Sequence, residues 1–374
     1  MSDPLSVLLV TKGLDIGGIE RIVVDLALGM RRRGVQVDVA VVNERRNRLI
    51  PQLEAAGVRV VPLGGTDRIG FRALWRLARL VRGNRFDVVH VHGPLPAAAV
   101  RLIPFTGLVV TTSHTIWSSL RRPTRALWRL TAGRDAATVA VSSAVAESLP
   151  PGVAHRMSVL PHGIDVDAIS RARLAPTTRS SGEVIAVCVA SHRDVKNYPN
   201  LLGAVAIARH DAPSLRLVAV GDGPDIERHR RIAMELGIDE VVRFVPASLD
   251  VLTTMASADM LVVASDFEGQ PLVVMEAMAL GLPVVATSVG RVPELITPSA
   301  GRMVPPGDST ALAGALVELA NDPELRRRLG DQARASSATW TLEEVIDAHL
   351  HLYDSLLAER RSGGRPVSRW RRSR

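Results

Sequence analysis

Two glutamates, Glu268 and Glu276, bracket an apolar run in "SDFEGQPLVVMEAMALGLPVVA" (265–286). Pro271 suits the first turn of a helix, where its missing N–H has no intrahelical partner to lose, and Gly281 before Pro283 suits the end. On a helix over 271–281, Glu276 shares an apolar face with Leu272, Ala279 and Leu280. An ionised carboxylate on that side needs hydrogen-bond donors. A backbone or arginine partner supplies them in one account, the hydroxyls of a bound sugar in the other. Glu268 stands in the loop before the helix, whose free amides favour anions such as phosphate. It fits equally a first-turn acid that complements the helix dipole.

Cations come next. Of 46 basic residues only two are lysine, Lys12 and Lys196, and both follow an expected strand. Arg193 and Lys196 close the run "VIAVCVASHRDVK", where positive charge can neutralise a diphosphate leaving group. A solvated loop is the plainer account, more readily for Arg193 than for Lys196. Gly17 and Gly18 sit between the first strand and helix, either as a tight turn or as a place where backbone approaches a ligand; no full G-x-G-x-x-G is present. His114 follows "LVVTTS" at the carboxyl end of a strand. "DVD" (165–167) reads as a helix cap rather than a metal motif, and no His/Cys/Asp cluster has metal-ligand spacing. No metal and no other cofactor is expected.

These residues need a scaffold. Valine-, isoleucine- and leucine-rich runs at 6–10, 35–42, 58–63, 87–92, 108–113 and 137–142 alternate with amphipathic helices such as 18–33 and 71–83. The pattern repeats with strands at 183–190, 215–220, 241–245, 259–264 and 283–287 and helices near 198–210, 224–236, 271–281 and 309–320. Continuous apolar strands with intervening helices mean parallel sheets covered on both faces. The expected organisation is a doubly wound Rossmann-like domain over 1–172, a linker over 173–182 and a second such domain over 183–340. A helix over 341–360, which may cross back to the first domain, and a basic tail over 361–374 follow. Ligands of such folds bind outside the carboxyl ends of the strands, so two facing domains would enclose an interdomain cleft.

The net charge of +8 belongs mostly to the tail, since residues 360–374 carry seven arginines and no acid and the remainder sums to 8 − 7 = +1. A nearly neutral body argues against a large nucleic-acid surface. Cys188 is the single cysteine, which excludes a disulfide framework and points to a reducing, cytoplasmic setting. No apolar run is long enough to span a bilayer. Two stretches interleave arginine with tryptophan, "RALWRLARLVR" (72–82) and "WSSLRRPTRALWRL" (117–130). The first reads as a solvated face with Trp75 turned inward. The second, with Trp117 and Trp128, is a candidate for contact with an anionic membrane or a lipid-linked acceptor. The tail, with Trp370, would add about 1 kcal/mol per charge near anionic lipid.

The segment "FEGQPLVVMEAMALGLPVVAT" resembles the E-x7-E motif of family 4 retaining glycosyltransferases, which share the two-domain GT-B fold. "LDIGGIERIVVDLA", "DVVHVHGP", "TTSHTIW", "VAVSSAVAESL", "VLPHGIDVD", "ASHRDVKNYPNLL", "LVAVGDGPDIERHRRIAMELGI" and "VRFVP" follow in the family's order, up to about residue 358. The resemblance implies that Glu276 accepts from the ribose of a nucleotide-sugar donor and Glu268 binds hydroxyls of the transferred sugar. It implies that the amides of Gly269, Gln270, Leu272 and Val273 approach the sugar and diphosphate. Arg193 and Lys196 would meet the diphosphate, Gly17 and Gly18 the diphosphate or acceptor, and His114 the cleft. The family more often has a longer spacing between this arginine and lysine. The expected reaction moves a hexosyl unit to an acceptor hydroxyl with retained configuration, in cell-surface polysaccharide or glycolipid synthesis at the inner face of the membrane. Its rivals are a non-hydrolysing sugar-nucleotide epimerase, a glycoside hydrolase and a non-catalytic nucleotide-sugar-binding protein.

Overall fold

The computed structural model describes residues 4–45, 47–66, 70–151, 157–175 and 182–362. Residues 176–181 of the expected linker and 363–374 of the expected tail lie outside the described residues. The chain divides into two units: Met1–Gly163 with Leu342–Arg374, and Ile164–Thr341.

The first unit holds seven strands: β1 (Ser6–Thr11), β2 (Gln36–Asn43), β3 (Arg59–Gly65), β4 (Val88–His92), β5 (Leu108–Ser113), β6 (Ala137–Ala140) and β7 (Met157–Val159). They pair in parallel in the order β3-β2-β1-β4-β5-β6-β7. Val7 through Val10 are fully buried, as a central strand covered on both faces must be. The order reverses between β1 and β4, so the loops after these strands border one crevice.

Helix Leu342–Arg361 completes this unit, not the second. Its Leu342, Ile346, Leu352 and Tyr353 join the core formed by β1, β2, β4 and helix Gly18–Arg32. Gly29 makes the approach possible: a Cβ there would lie 1.9 Å from Ile346 Cδ1. Arg33 closes the edge on Asp347 at 2.8 Å and Glu343 at 2.5 Å.

The second unit repeats the plan with β8 (Val184–Val189), β9 (Leu215–Val220), β10 (Val242–Val245), β11 (Met260–Val263), β12 (Val284–Thr287) and β13 (Gly301–Val304). All pairs are parallel, in the order β10-β9-β8-β11-β12-β13, and the reversal falls between β8 and β11. It starts earlier than the expected boundary after residue 172. Helix Val166–Leu174 is capped by Asp165, which accepts from the Ala168 amide at 2.9 Å. Its Ile169 and Ala172 pack into the same core as Met255 and Val274. Burial of that face ties the segment to the second unit. The short edge strands β7 and β13 were absent from the sequence reading; three or four residues carry too little periodicity to announce themselves.

Candidate functional site

In the second unit the loops after β8 and β11 are tied together. Beyond β8 the chain passes His192 and Arg193, makes a short 3-10 turn over Asp194–Lys196, and reaches Asn197. Asn197 has φ of 45°, the one non-glycine residue with positive φ among the described residues. Asparagine tolerates that conformation better than most side chains. Its Oδ1 accepts from the Asn200 amide at 3.2 Å and caps helix Tyr198–Asp211, while its Nδ2 donates to Asp266 at 2.8 Å. The Asp266 amide in turn donates to the Val195 carbonyl at 3.0 Å.

This zipper brings Lys196 Nζ to 2.6 Å from Glu268 Oε1, which also accepts from Ser265 Oγ at 2.6 Å. The pair is mostly shielded, with side chains 22% and 11% exposed. The cation and acid given separate duties by sequence therefore neutralise each other in the free protein. A diphosphate reaching Lys196 must share it with Glu268.

Gly290, which sequence reading missed, supports this loop from β12. Its φ is +54°, and a Cβ there would lie 1.6 Å from the Glu268 carbonyl oxygen. Thr287 Oγ1 donates to the Ser265 carbonyl at 2.6 Å. Gly290→Ala should therefore displace residues 265–270 as well as strain its own backbone, costing at least about 1–3 kcal/mol. Thermal unfolding of the variant checks this; an unchanged midpoint would show that the loop yields freely.

Helix Leu272–Leu280 starts at Pro271 as N-cap, one residue later than expected, and no side chain caps it. Its first amides are left to other acceptors. Glu276 is half-buried, in a stripe with Leu272, Val273 and Ala279, whereas Val274, Met275, Ala277, Met278 and Leu280 are buried. The apolar side of the helix thus corrects the expected position of this carboxylate: it rests at the margin of the core, where desolvation costs less. Gln270 is buried and donates to the Met275 sulfur at 3.1 Å, so its side chain turns inward and Gly269 follows Glu268 in the loop.

Arg193 is exposed and makes no ion pair among the described residues. His192 beside it is fully buried, with Nδ1 2.9 Å from His229 Nδ1 and its ring stacked on Tyr198 at 4.1 Å. Burial, with His229 adding to it, pushes the His192 imidazole down to about 4, so it is neutral near pH 7. Its backbone pairs with Asp222 and Asp225, fixing the root of the Arg193 loop.

Gly17, Gly18 and His114 belong to the first unit, and the other predicted site residues to the second. Gly17 is the N-cap of helix Gly18–Arg32 with φ of −170°, ordinary extended backbone. A tight turn is therefore not why glycine stands there. A Cβ on Gly18 would meet nothing within 4 Å, so the surface is open at that point. His114 lies just beyond β5, half-buried, its Nε2 3.1 Å from Nδ1 of His92, and burial holds it at about 4. His90, also on β4, contacts Tyr353 Oη at 2.5 Å and Thr112 Oγ1 at 2.6 Å. The histidines of "HVHG" fall two apart on one strand, hence on one face, which is the signal that could have found this group.

Two expectations about tryptophan reverse. Trp117 and Trp128 pack edge-on at 6.0 Å in a buried cluster with Ala132 and Leu149, covered by Arg129 and Arg101. Trp75 is 54% exposed, beside Phe71 at 86%. On helix Phe71–Gly83 the core-facing positions are taken by Ala73, Leu77 and Val81, and Trp75 lies off that stripe. A hollow of about 550 Å³ lined by Arg82, Arg85, Arg360 and Arg361 lies at the amino ends of β4 and β5 and contains none of the predicted site residues. Among the described residues no His/Cys/Asp/Glu group is placed to hold a metal, and no helix is long and apolar enough to cross a membrane.

Comparison with known proteins decides the family. The family described as Glycosyltransferase Family 4 matches residues 16–168, and Glycosyl transferases group 1 matches residues 172–336. The chain belongs to glycosyltransferase family 4. The chain is 30% identical over 188 residues to N-acetyl-alpha-D-glucosaminyl L-malate synthase of Bacillus anthracis, 49% of each chain. It is 29% identical over 335 residues to phosphatidyl-myo-inositol mannosyltransferase of Mycobacterium leprae, 83% of this chain and 86% of that one. The chain spans about half the length of the first curated relatives it matches. The solved Anabaena Alr3699/HepE in complex with UDP-glucose superposes with a TM-score of 0.81 at 20% identity, covering 94% of this chain and 100% of that one. That likeness concerns the fold, and the glycosyltransferase has the GT-B fold of two parallel-sheet, Rossmann-like domains.

Proposed function

We propose that this chain is a retaining hexosyltransferase, moving a hexosyl unit from a nucleotide-diphosphate sugar to a carbohydrate or lipid-linked acceptor hydroxyl in cell-surface polysaccharide or glycolipid synthesis. The observation that carries the reading is the Lys196–Glu268 pair at the β8/β11 reversal, next to the uncapped start of helix Leu272–Leu280. That crevice offers an anion three features: a lysine, an exposed arginine and free helix amides. It also offers carboxylates as acceptors for hydroxyls.

In this reading Lys196 and Arg193 carry the charge that develops on the departing diphosphate, without a metal or other cofactor. Glu268 accepts from hydroxyls of the transferred sugar, with the amides of Gly269, Gln270, Leu272 and Val273 close to sugar and diphosphate. Glu276 accepts from the ribose. Gly18, with Gly17 before it, leaves open space for the diphosphate or acceptor to approach backbone. The acceptor proton passes to the leaving phosphate on the face from which it departs, so the anomeric configuration is retained. The reaction takes place in the cytoplasm, at the inner face of the membrane for a lipid-linked acceptor. The membrane contact in this reading moves from residues 117–130 to the exposed Phe71 and Trp75, with the basic tail as a second contributor.

Calorimetry with a panel of nucleotide sugars, followed by transfer assays, tests the proposal. Glu276→Ala should weaken donor binding about ten- to a hundredfold, the worth of one or two hydrogen bonds to a charged acceptor, with its melting temperature unchanged. Undiminished affinity would remove Glu276 from the site. Conversion of donor alone into its epimer would favour isomerisation over transfer.

A further inference from the structure

At the carboxyl ends of β4 and β5 stands a row of imidazoles, of which the family resemblance gives a place only to His114, in the cleft. His90 and His92 share a face of β4, with ring centroids 4.5 Å apart. The His92 ring stacks on His114 at 5.3 Å, and His114 stacks on His162 at 5.6 Å. Between His92 and His114 the stack is also a hydrogen bond, Nδ1 to Nε2 at 3.1 Å. The outer nitrogens of this pair, His92 Nε2 and His114 Nδ1, are buried and have no hydrogen-bond partner among the described residues. His92 itself is 3% exposed. A buried polar atom without a partner is uncommon and calls for a ligand or a special role.

A neutral imidazole has one N–H and one lone pair. Burial and neighbouring imidazoles hold both rings far below the ordinary histidine range, so neither is charged near pH 7. Two arrangements remain. If His92 donates through Nδ1, His114 accepts at Nε2 and carries its proton on Nδ1. If His114 donates through Nε2, its Nδ1 is a bare acceptor and His92 carries its proton on Nε2. Either way the bond determines what His114 Nδ1 presents. Hydroxyls both give and accept, so they suit this pair in either arrangement; a carboxylate or an ammonium suits only one.

We propose that His92 is a positioning residue: its hydrogen bond fixes the tautomer and ring orientation of His114, whose Nδ1 then meets a carbohydrate hydroxyl. The proposal rests on the glycosyl-transfer reading for the hydroxyl, but not for the tautomer. His92 sits on a central strand with its ring tilted against His90, whose nitrogens are taken by Tyr353 and Thr112. It is thereby held more firmly than His114, which lies one residue past the end of β5.

Two substitutions separate the hydrogen bond from the packing. His92→Phe keeps a stacked ring and removes the bond; His92→Asn keeps a polar atom near the former Nδ1. With an active donor and acceptor, His92→Phe should lower kcat about ten- to a hundredfold, as loss of an orienting partner does elsewhere. Donor affinity and melting temperature should stay near wild type. His92→Asn should recover most of the loss, and His92→Phe combined with His114→Phe should be no slower than His114→Phe alone. Wild-type kcat in His92→Phe, or losses that multiply in the double variant, would overturn the proposal. Ring 15N shifts of histidine-labelled protein give a readout independent of activity. In the wild type His92 and His114 should show the same tautomer populations, Nδ1–H on both rings or Nε2–H on both, and His114 should shift in His92→Phe; an unchanged His114 spectrum would refute tautomer control. If the wild-type chain transferred no sugar but the spectra behaved as stated, the transferase reading would fail while the hydrogen-bond control stood.

Discussion

Lys196→Ala should lower the transfer rate about a hundred- to a thousandfold, the loss that follows removal of one fixed group facing developing charge. Lysine is scarce in this chain, and this one is placed with care: the αL turn at Asn197 and the tie between Asp266 and Val195 aim it at the β8/β11 crevice. In the free protein its partner is Glu268, so the substitution also leaves that carboxylate with Ser265 Oγ as its recorded donor. Lys196→Ala and Glu268→Gln should consequently not add; the double variant should be little slower than the worse single one. The measurement is kcat at saturating donor. A single variant that kept more than about a tenth of the wild-type rate would take Lys196 out of the electrostatic role.

Arg101→Met destabilises the first unit by about 3–5 kcal/mol, the cost of breaking one side of a buried ion pair. Arg101 and Asp135 meet at 2.5 Å with side chains 0% and 1% exposed. The guanidinium also donates to Thr131 at 3.2 Å and Thr111 at 3.3 Å and lies 5.2 Å from the Trp128 ring centre. Burial pushes the Asp135 carboxyl up even with this arginine and the hydroxyls of Thr111 and Thr138 beside it, so without the guanidinium only neutral donors would face the buried acid. Urea unfolding followed by tryptophan fluorescence reports on the change, since Trp117 and Trp128 are in the same buried cluster. A loss under about 1 kcal/mol would mean that water reaches the orphaned acid. Methionine roughly fills the arginine stem, so the comparison isolates charge from volume.

The scaffold was readable because parallel strands buried on both faces are written as unbroken valine and leucine runs. β1, β5 and β9 stand within a residue of where those runs placed them. The second-unit crevice was readable too, since its lysine and glutamate follow two adjacent strands at the reversal. What sequence could not carry was contact. Nothing in the spacing of Lys196 and Glu268 says that they meet, because their loops are joined only through tertiary hydrogen bonds. The need for Gly290 arises from a backbone 22 residues away, at Glu268. Trp75 and Trp128 exchanged their expected environments because both helices carry arginine and tryptophan in similar patterns. Arg101, from another helix, lies over the Trp128 ring, a contact that no pattern within residues 117–130 announces. The imidazole row likewise gathers residues from one strand, β4, and from the chain after β5 and after β7.

Helix Leu342–Arg361 has a consequence for biosynthesis. A ribosome makes nearly all of the first unit before it starts the second, yet Ile346 and Tyr353, which fill that early core, follow the second unit, and Tyr353 is the one that meets His90. The nascent amino-terminal half must wait, with an apolar groove along helix Gly18–Arg32 uncovered, until the second unit has been translated. The inserted unit can therefore close before the unit that precedes it, against the usual amino-to-carboxyl order.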